Sequence, residues 1–231
     1  MAGPMQMYLY VHDAILREVT HYEAVAKDLN RDSAEEVAAF ADKMAWFQTM
    51  VKAHEHTEEE ILFPALNARY QYVAETYAFD HEDFEPHVFG RLNDALAGLS
   101  KASTNGERKE QADLLYRHSV ALNEHMRLHI SKENELLLPK LEAEFDVSEQ
   151  VNIAGAMAGL VDPRLMGEIV GWMYDGQTVA DREGMIRFLM RILPAEAFGG
   201  MSQALAAKGA QAWAEMQRRI PELGGNVPDG A

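Results

Sequence analysis

Two segments of the chain repeat one motif, in which a histidine precedes a glutamate by four residues and a proline follows that glutamate by six. The two copies are AHEHTEEEILFP at residues 53–64 and RLHISKENELLLP at residues 127–139. Their key residues are His54, Glu58 and Pro64 in the first copy and His129, Glu133 and Pro139 in the second. Side chains four residues apart lie on the same face of an α-helix. Each copy therefore predicts a helix that directs an imidazole and a carboxylate toward one point.

A further histidine precedes each copy, which extends the repeat to a whole helical hairpin. His12 precedes the first copy and His81 the second, and Tyr8 and Tyr77 lie four residues before them. Each hairpin thus offers two histidines and one glutamate. Four imidazoles and two carboxylates form a mixed nitrogen and oxygen donor set, which suits iron, manganese or zinc better than copper(I) or calcium. The two glutamates could bridge a metal pair, so the sequence predicts a dinuclear centre.

Four long segments with apolar residues at three- and four-residue spacing predict helices. They cover about residues 5–29, 33 to just past 64, 80–99 and 108–145. Ser33 and Glu36 form a capping-box pattern at the start of the second segment. Four such helices with short connections predict an all-α fold, with an up-down-up-down four-helix bundle in residues 1–146.

Residues 147–231 follow a different pattern, with shorter apolar segments. Helix-start signals occur at Asp162 and Thr178, and breaks occur at Pro194, Gly199-Gly200 and Pro221. We expect three or four shorter helices here. The apolar content is too high for a solvated linker, so we expect a helical C-terminal extension that packs on the bundle. A homodimer interface is the alternative use of its apolar surface.

The composition limits which compartments and which classes of partner we expect for the protein. The formal net charge of −16 argues against nucleic acid and anionic membranes as partners. The chain has no cysteine, which excludes disulfides and thiolate metal sites. No apolar run reaches the roughly 18 residues of a membrane span, and the start of the chain lacks a signal-peptide pattern. We therefore expect a cytoplasmic protein.

The pattern H…HxxxE…H…HxxxE, with EEEILFP and ENELLLP at the two glutamates, resembles the hemerythrin-like (HHE cation-binding) family over roughly residues 7–145. The resemblance implies a four-helix bundle around a non-haem diiron centre. Carried over by position, the implied ligands are His12, His54, Glu58, His81, His129 and Glu133. The chain departs from the oxygen-carrying hemerythrins, which resemble it in fold but have two histidines four apart on the third helix. Here Glu85 follows His81 by four residues.

Several neighbouring residues allow other readings of the site. His56 and Glu60 repeat the four-residue spacing, but His56 lies about 200° around the helix from His54, so both cannot face the core. We choose His54 because Pro64 follows Glu58 by six residues, as Pro139 follows Glu133. His125 is one turn from His129. Both His125 and Glu85 are candidates either for an additional metal ligand or for a residue that contacts a ligand without binding the metal. His118 lies about 16 Å from His129 along the axis, which is too far to share the site.

We expect two iron ions as the cofactor, with manganese or zinc as the less favoured metals, and a small diatomic molecule or peroxide as the ligand. Three functions fit such a centre. The first is a diiron oxidoreductase that consumes O2, peroxide or nitric oxide; the second is a protein that binds or senses oxygen or iron; the third is a structural metal site. The sequence shows no motif for a flavin, nicotinamide or haem. Any electrons must therefore come from another molecule, or the reaction must disproportionate its own substrate, as peroxide disproportionation does.

Overall fold

The computed structural model describes residues 4–225, apart from the side chains of Gln6 and Glu85. Within that range the chain forms helices and connecting turns and contains no β-strand. The all-α prediction is therefore confirmed. None of the described helices combines the length and the apolar character that crossing a membrane would require.

The described chain divides into two compact units. One unit is Ile15–Glu144, and the other combines the residues up to Ala14 with those from Phe145 onward. The boundary falls inside the first helix, α1 (Gln6–Asp28), which therefore contributes residues to both units. That residues 147–231 pack on the bundle stays a prediction.

The unit Ile15–Glu144 contains the four helical runs that the sequence predicts. After α1, the second run is α2 (Ala34–Thr57), π1 (Glu58–Leu62) and α3 (Phe63–Arg69). The third is α4 (Glu75–Asp83), π2 (Phe84–Phe89) and α5 (Gly90–Lys101). The fourth is α6 (Asn105–Lys132), π3 (Glu133–Leu137) and α7 (Leu138–Glu144). The Ser33 hydroxyl accepts a hydrogen bond from the Glu36 amide, which confirms Ser33 as the cap of the second helix. The Glu36 carboxylate accepts from the Asn30 amide, so the reciprocal half of the predicted capping box is replaced by a different contact.

A proline accompanies each of the three π-helical segments. The prolines are Pro64 and Pro139, two residues after π1 and π3, and Pro86, inside π2. Proline has no N–H and its ring clashes with the carbonyl four residues earlier, so regular α-helical bonding cannot continue. A wider π-helical turn replaces the α-helical turn near the proline. In π1 the Phe63 amide donates to the Glu58 carbonyl five residues earlier. The Leu138 amide donates to the Glu133 carbonyl in the same way.

The two copies of the motif therefore share a local structure as well as a sequence pattern. In each copy the glutamate begins a five-residue π-helical segment, and a seven-residue α-helix follows it. Single π turns inside α-helices occur frequently at functional sites. The proline of each motif thus marks a widened turn that starts at the candidate ligand.

A cluster of buried aromatic side chains lies about 10 Å along α2 from the candidate ligand His54. The Tyr22 and Phe47 rings have centroids 5.3 Å apart, and Phe47 and Phe89 lie 6.4 Å apart edge to face. All three side chains are buried. Phe47 lies seven residues before His54, which is about 10 Å along α2. A reciprocal amide pair between Gln48 and Asn93, at 2.9 and 3.1 Å, joins α2 to α5 and fixes their register.

After residue 146 the described part of the second unit contains five α-helices and a short 3₁₀-helix (Pro221–Gly225), where the sequence predicted three or four helices. They are α8 (Val147–Leu160), α9 (Pro163–Asp175), α10 (Val179–Ile192), α11 (Ala195–Lys208) and α12 (Ala210–Arg219). Asp162 and Thr178 cap α9 and α10, as predicted. The predicted break at Gly199-Gly200 is wrong, because both glycines lie inside α11 and keep its helical backbone. The chain breaks instead at Gly209, whose extended backbone ends α11 and begins α12.

In this unit the start of α1 lies against α10. A Cβ atom added to Gly184 would lie 2.3 Å from the Tyr10 hydroxyl oxygen, so the glycine makes room for the tyrosine. Burial raises the pKa of the Tyr10 phenol, and the nearby Asp181 and Asp13 carboxylates raise it further. Tyr10 is 4% exposed, and it anchors the segment of α1 that carries His12.

Candidate metal centre

The histidine and glutamate of each motif face each other, as their spacing predicts. His54 Nε2 lies 3.2 Å from Glu58 Oε1, and His129 Nε2 lies 3.2 Å from Glu133 Oε1. Glu58 and Glu133 are both 0% exposed. The two motifs therefore deliver their carboxylates to the interior of the unit Ile15–Glu144.

His81 joins the two motifs into one cluster. Its Nε2 atom lies 3.4 Å from Glu58 Oε2 and 3.1 Å from His129 Nε2. One ligand atom from each of Glu58, His81, His129 and Glu133 lies within 4.8 Å of the other three. His54 meets the same limit with the two glutamates. Both groups of donors thus share Glu58 and Glu133.

The spacing of these atoms fits neighbouring ligands on one metal ion. Two donor atoms about 2.1 Å from an ion lie about 3.0 Å apart at a right angle and about 3.4 Å apart at the tetrahedral angle. The contacts among His54, Glu58, His81, His129 and Glu133 measure 3.1 to 3.4 Å. Buried carboxylates are costly unless cations accompany them. Three imidazoles and two carboxylates in this arrangement fit iron, and also manganese or zinc.

His12 lies on the part of α1 that belongs to the other unit. Its side chain is buried, and its ring centroid lies 4.2 Å from that of Tyr8. It shares a helix face with Ile15, Val19 and Tyr22, which are buried as well. The duplicated pattern is what assigns His12 to the centre, and its ligation stays a prediction.

Two carboxylates that sequence reasoning missed hold the histidines of the second hairpin. Asp80 Oδ2 lies 3.0 Å from His129 Nδ1, and Glu59 Oε1 lies 3.0 Å from His81 Nδ1. Lys132 Nζ also contacts Asp80 Oδ2. A carboxylate that accepts from Nδ1–H fixes the tautomer and aims Nε2 at a metal. Asp80 and Glu59 stand next to predicted ligands in the sequence, but each contacts a histidine on a different helix, so the sequence carries no signal that pairs them.

Aromatic rings pack around the same two histidines. Phe63 stacks on His81 with centroids 5.4 Å apart and an interplanar angle of 26°. Phe84 meets His129 edge to face, with centroids 5.5 Å apart. These contacts restrict the rotation of both imidazoles and keep water from them.

The protonation of the cluster depends strongly on its buried carboxylates. Burial alone lowers the pKa of the His129 imidazole, but the Glu133 charge and the Asp80 hydrogen bond outweigh burial and raise that pKa to about 10. Burial lowers the pKa of His81, and the charge on His129 lowers it further. Without a metal, a proton on His129 thus offsets part of the buried negative charge. A metal ion at Nε2 would displace that proton.

The structure separates the remaining candidates from this cluster. His56 and Glu60 are exposed, in agreement with the choice of His54. His125 is exposed, with its ring 6.3 Å from Phe84, and belongs to neither donor group among the described residues. His118 is partly buried, and burial followed by the Arg91 charge lowers its pKa. The side chain of Glu85 lies outside the described residues, so its ligation is untested.

Comparison with known proteins identifies the class of this chain. The family model of the hemerythrin HHE cation binding domain matches residues 6–141. The chain therefore belongs to the hemerythrin HHE cation-binding domain family, and the predicted family resemblance is confirmed. No solved structure matches the chain.

Curated relatives come from Arabidopsis thaliana. The zinc finger protein BRUTUS is 23% identical over 194 residues, which is 84% of this chain and 15% of the relative. A BRUTUS-like zinc finger protein is 22% identical over 177 residues, which is 74% of this chain and 13% of the relative. The chain thus matches only a small part of these longer proteins.

Proposed function

We propose that this protein binds two iron ions in its buried histidine and glutamate cluster and uses them to bind or transform O2, peroxide or nitric oxide. One observation carries the proposal. Glu58 directs Oε1 toward His54 and Oε2 toward His81, at 3.2 and 3.4 Å. A carboxylate whose two oxygens face different imidazoles could ligate two ions, and this supports the proposal. Glu133 belongs to both donor groups as well.

In the proposed centre, the duplicated pattern assigns His12 and His54 to one ion and His81 and His129 to the other. Six protein side chains would leave room on two ions for a small ligand. Bound iron would supply the redox chemistry. The protein aims His81 and His129 through Glu59 and Asp80, and Phe63 and Phe84 exclude water beside them.

Peroxide disproportionation is the reaction that we favour for this centre. It draws both the oxidant and the reductant from the substrate, and the sequence has no motif for an electron-donating cofactor. The test is release of O2 from hydrogen peroxide by the iron-loaded protein without added reductant, with free iron at the same concentration as the control. We expect O2 release above the control, together with near-ultraviolet charge-transfer absorption. Absorption without O2 release would refute peroxide disproportionation and favour the binding or sensing role.

A binding or sensing role is the second candidate, and the structure of α1 favours it. This helix carries the predicted ligand His12, and two residues earlier it carries Tyr10, which packs against Gly184 of α10. Metal binding at His12 would therefore shift the segment of α1 whose Tyr10 packs against α10. If this role is correct, iron should change the protease sensitivity of residues 145–225. Unchanged cleavage of that region with and without iron would count against it.

A further inference from the structure

The residues around the glutamate of each motif share one pattern of burial. The histidine four residues before the glutamate and the apolar residue seven before it are buried or nearly buried, and these residues are Val51, His54, Met126 and His129. The positions four, five and eight residues after the glutamate are buried in both copies, and they are Leu62, Phe63, Leu66, Leu137, Leu138 and Leu141. Each glutamate thus joins a stretch that carries a candidate ligand to an apolar stretch, and both stretches face the core.

A continuous α-helix could not place both stretches on one face. At about 100° per residue, the side chains five and eight residues after the glutamate would lie about 140° and about 80° around the axis from it. One extra residue in the turn reduces these angles to about 40° and about 20°. Each copy contains that extra residue, because the amide five residues after the glutamate donates to the glutamate's own carbonyl.

The two motif prolines favour this wider turn. Pro64 and Pro139 are exposed, so packing in the core does not explain them. In a continuous α-helix the ring of each proline would clash with the carbonyl four residues earlier, which belongs to Glu60 or Glu135. The proline therefore disfavours the α-helical register and leaves the π-helical one.

We propose that Pro64 and Pro139 are positioning residues for the metal ligands, because they exclude the continuous α-helix that would turn either the ligands or the apolar residues away from the core. The inference rests on the proposed metal centre. Without the proline the two registers compete, and metal binds only the molecules in the π-helical register. The apparent affinity for metal then falls in proportion to the fraction of molecules in that register.

The first test replaces the proline. Metal-free wild type, Pro64→Ala and the control Pro163→Ala are titrated anaerobically with Fe(II) in competition with a chromophoric chelator. Pro163 occupies the first turn of α9, where proline is compatible with a regular helix. We expect Pro64→Ala to weaken the apparent affinity by about 10- to 100-fold, as is typical for residues that orient a ligand, and Pro163→Ala to leave it within a few fold. Circular dichroism should show the same helix content in all three metal-free proteins.

The second test also removes the extra residue. Deletion of Glu60, which is exposed, from the Pro64→Ala variant lets a continuous α-helix place the ligands and the apolar residues on one face. This double variant should regain the wild-type affinity within a few fold. Deletion of Glu60 alone leaves Pro64 inside a continuous α-helix, so its metal-free form should melt several degrees below that of the double variant.

Wild-type affinity in Pro64→Ala would overturn the inference, and so would a double variant that binds iron as weakly as Pro64→Ala. Loss of helix in metal-free Pro64→Ala would overturn it too, because the proline would then support the fold and not the aim of the ligands. If the wild type takes up no iron, the proposed function fails instead. The metal-free melts of the two deletion variants then still decide the inference, since equal melting temperatures would show that Pro64 does not select the π-helical register.

Discussion

Glu58→Gln should disable both metal positions, because each oxygen of Glu58 faces a different histidine. The oxygens lie 3.2 Å from His54 Nε2 and 3.4 Å from His81 Nε2. Glutamine keeps the shape of the side chain, but it replaces one oxygen by an NH2 group and removes the charge. The matched control is Glu60→Gln, which makes the same change at an exposed position of π1.

The magnitude follows from mass action. A metal at 100 times its dissociation constant stabilises the folded state by about 2.7 kcal/mol, and two independent ions give about 5.4 kcal/mol. For a chain of this size, 1 kcal/mol corresponds to roughly 2–4 °C in the melting temperature. Wild type should therefore melt about 11–22 °C higher with metal than without it. A site weakened about 100-fold contributes only about 0.4 kcal/mol at the same concentration, so Glu58→Gln should gain only about 2–3 °C.

The assay is a thermal melt of wild type, Glu58→Gln and Glu60→Gln at a fixed concentration of manganese, which avoids iron oxidation during heating. Metal content after desalting provides a second readout. We expect Glu60→Gln to behave as wild type in both. A full metal-induced shift in Glu58→Gln would refute the bridging role of Glu58. A loss in Glu60→Gln would show that the register of the motif is wrong.

Three further predictions concern individual side chains. His54→Ala should lower the iron content whereas His56→Ala should not, since His56 is exposed; elemental analysis of both variants checks this, and the opposite result would reverse the assignment. The pKa of His129, about 10, lies above its ordinary value of 6.5. The protonated imidazole therefore stabilises the metal-free protein fully below about pH 6.5, and this stabilisation is lost as the pH rises through about 10. Urea unfolding of the metal-free protein should show the decline in stability, and His129→Gln should abolish the decline. Gly184→Ala should be less stable than Gly155→Ala by about 1–3 kcal/mol, because the added methyl group meets Tyr10 at position 184 and open space at position 155; equal melting temperatures would show that Tyr10 moves aside at little cost.

The local features of the fold could be predicted from the sequence because short-range rules determine them. The Ser33 cap depends on one hydroxyl and an amide three residues away. The facing pairs His54–Glu58 and His129–Glu133 follow from the helical period alone. The sequence analysis does not predict the π-helical turns, although Pro64 and Pro139 belong to the motif that it identifies, because the pattern of apolar residues does not reveal one extra residue in a turn.

Features that depend on the pairing of distant segments could not be predicted. Asp80 and His129 are 49 residues apart, and Glu59 and His81 are 22 apart. Each acidic residue looked like an ordinary solvated charge, since the sequence does not say which helix faces it. The division of α1 between two units depends in the same way on contacts such as Tyr10 with Gly184.

The number of iron ions bound by one chain tests the central claim most directly. Native mass spectrometry of the anaerobically iron-loaded, desalted protein would count them without assuming any reactivity. The contacts of Glu58 with both His54 and His81, and the sharing of Glu133 by both donor groups, lead us to predict about two irons per chain at saturation. A protein that binds a single ion at saturating iron, or none, would contradict the account.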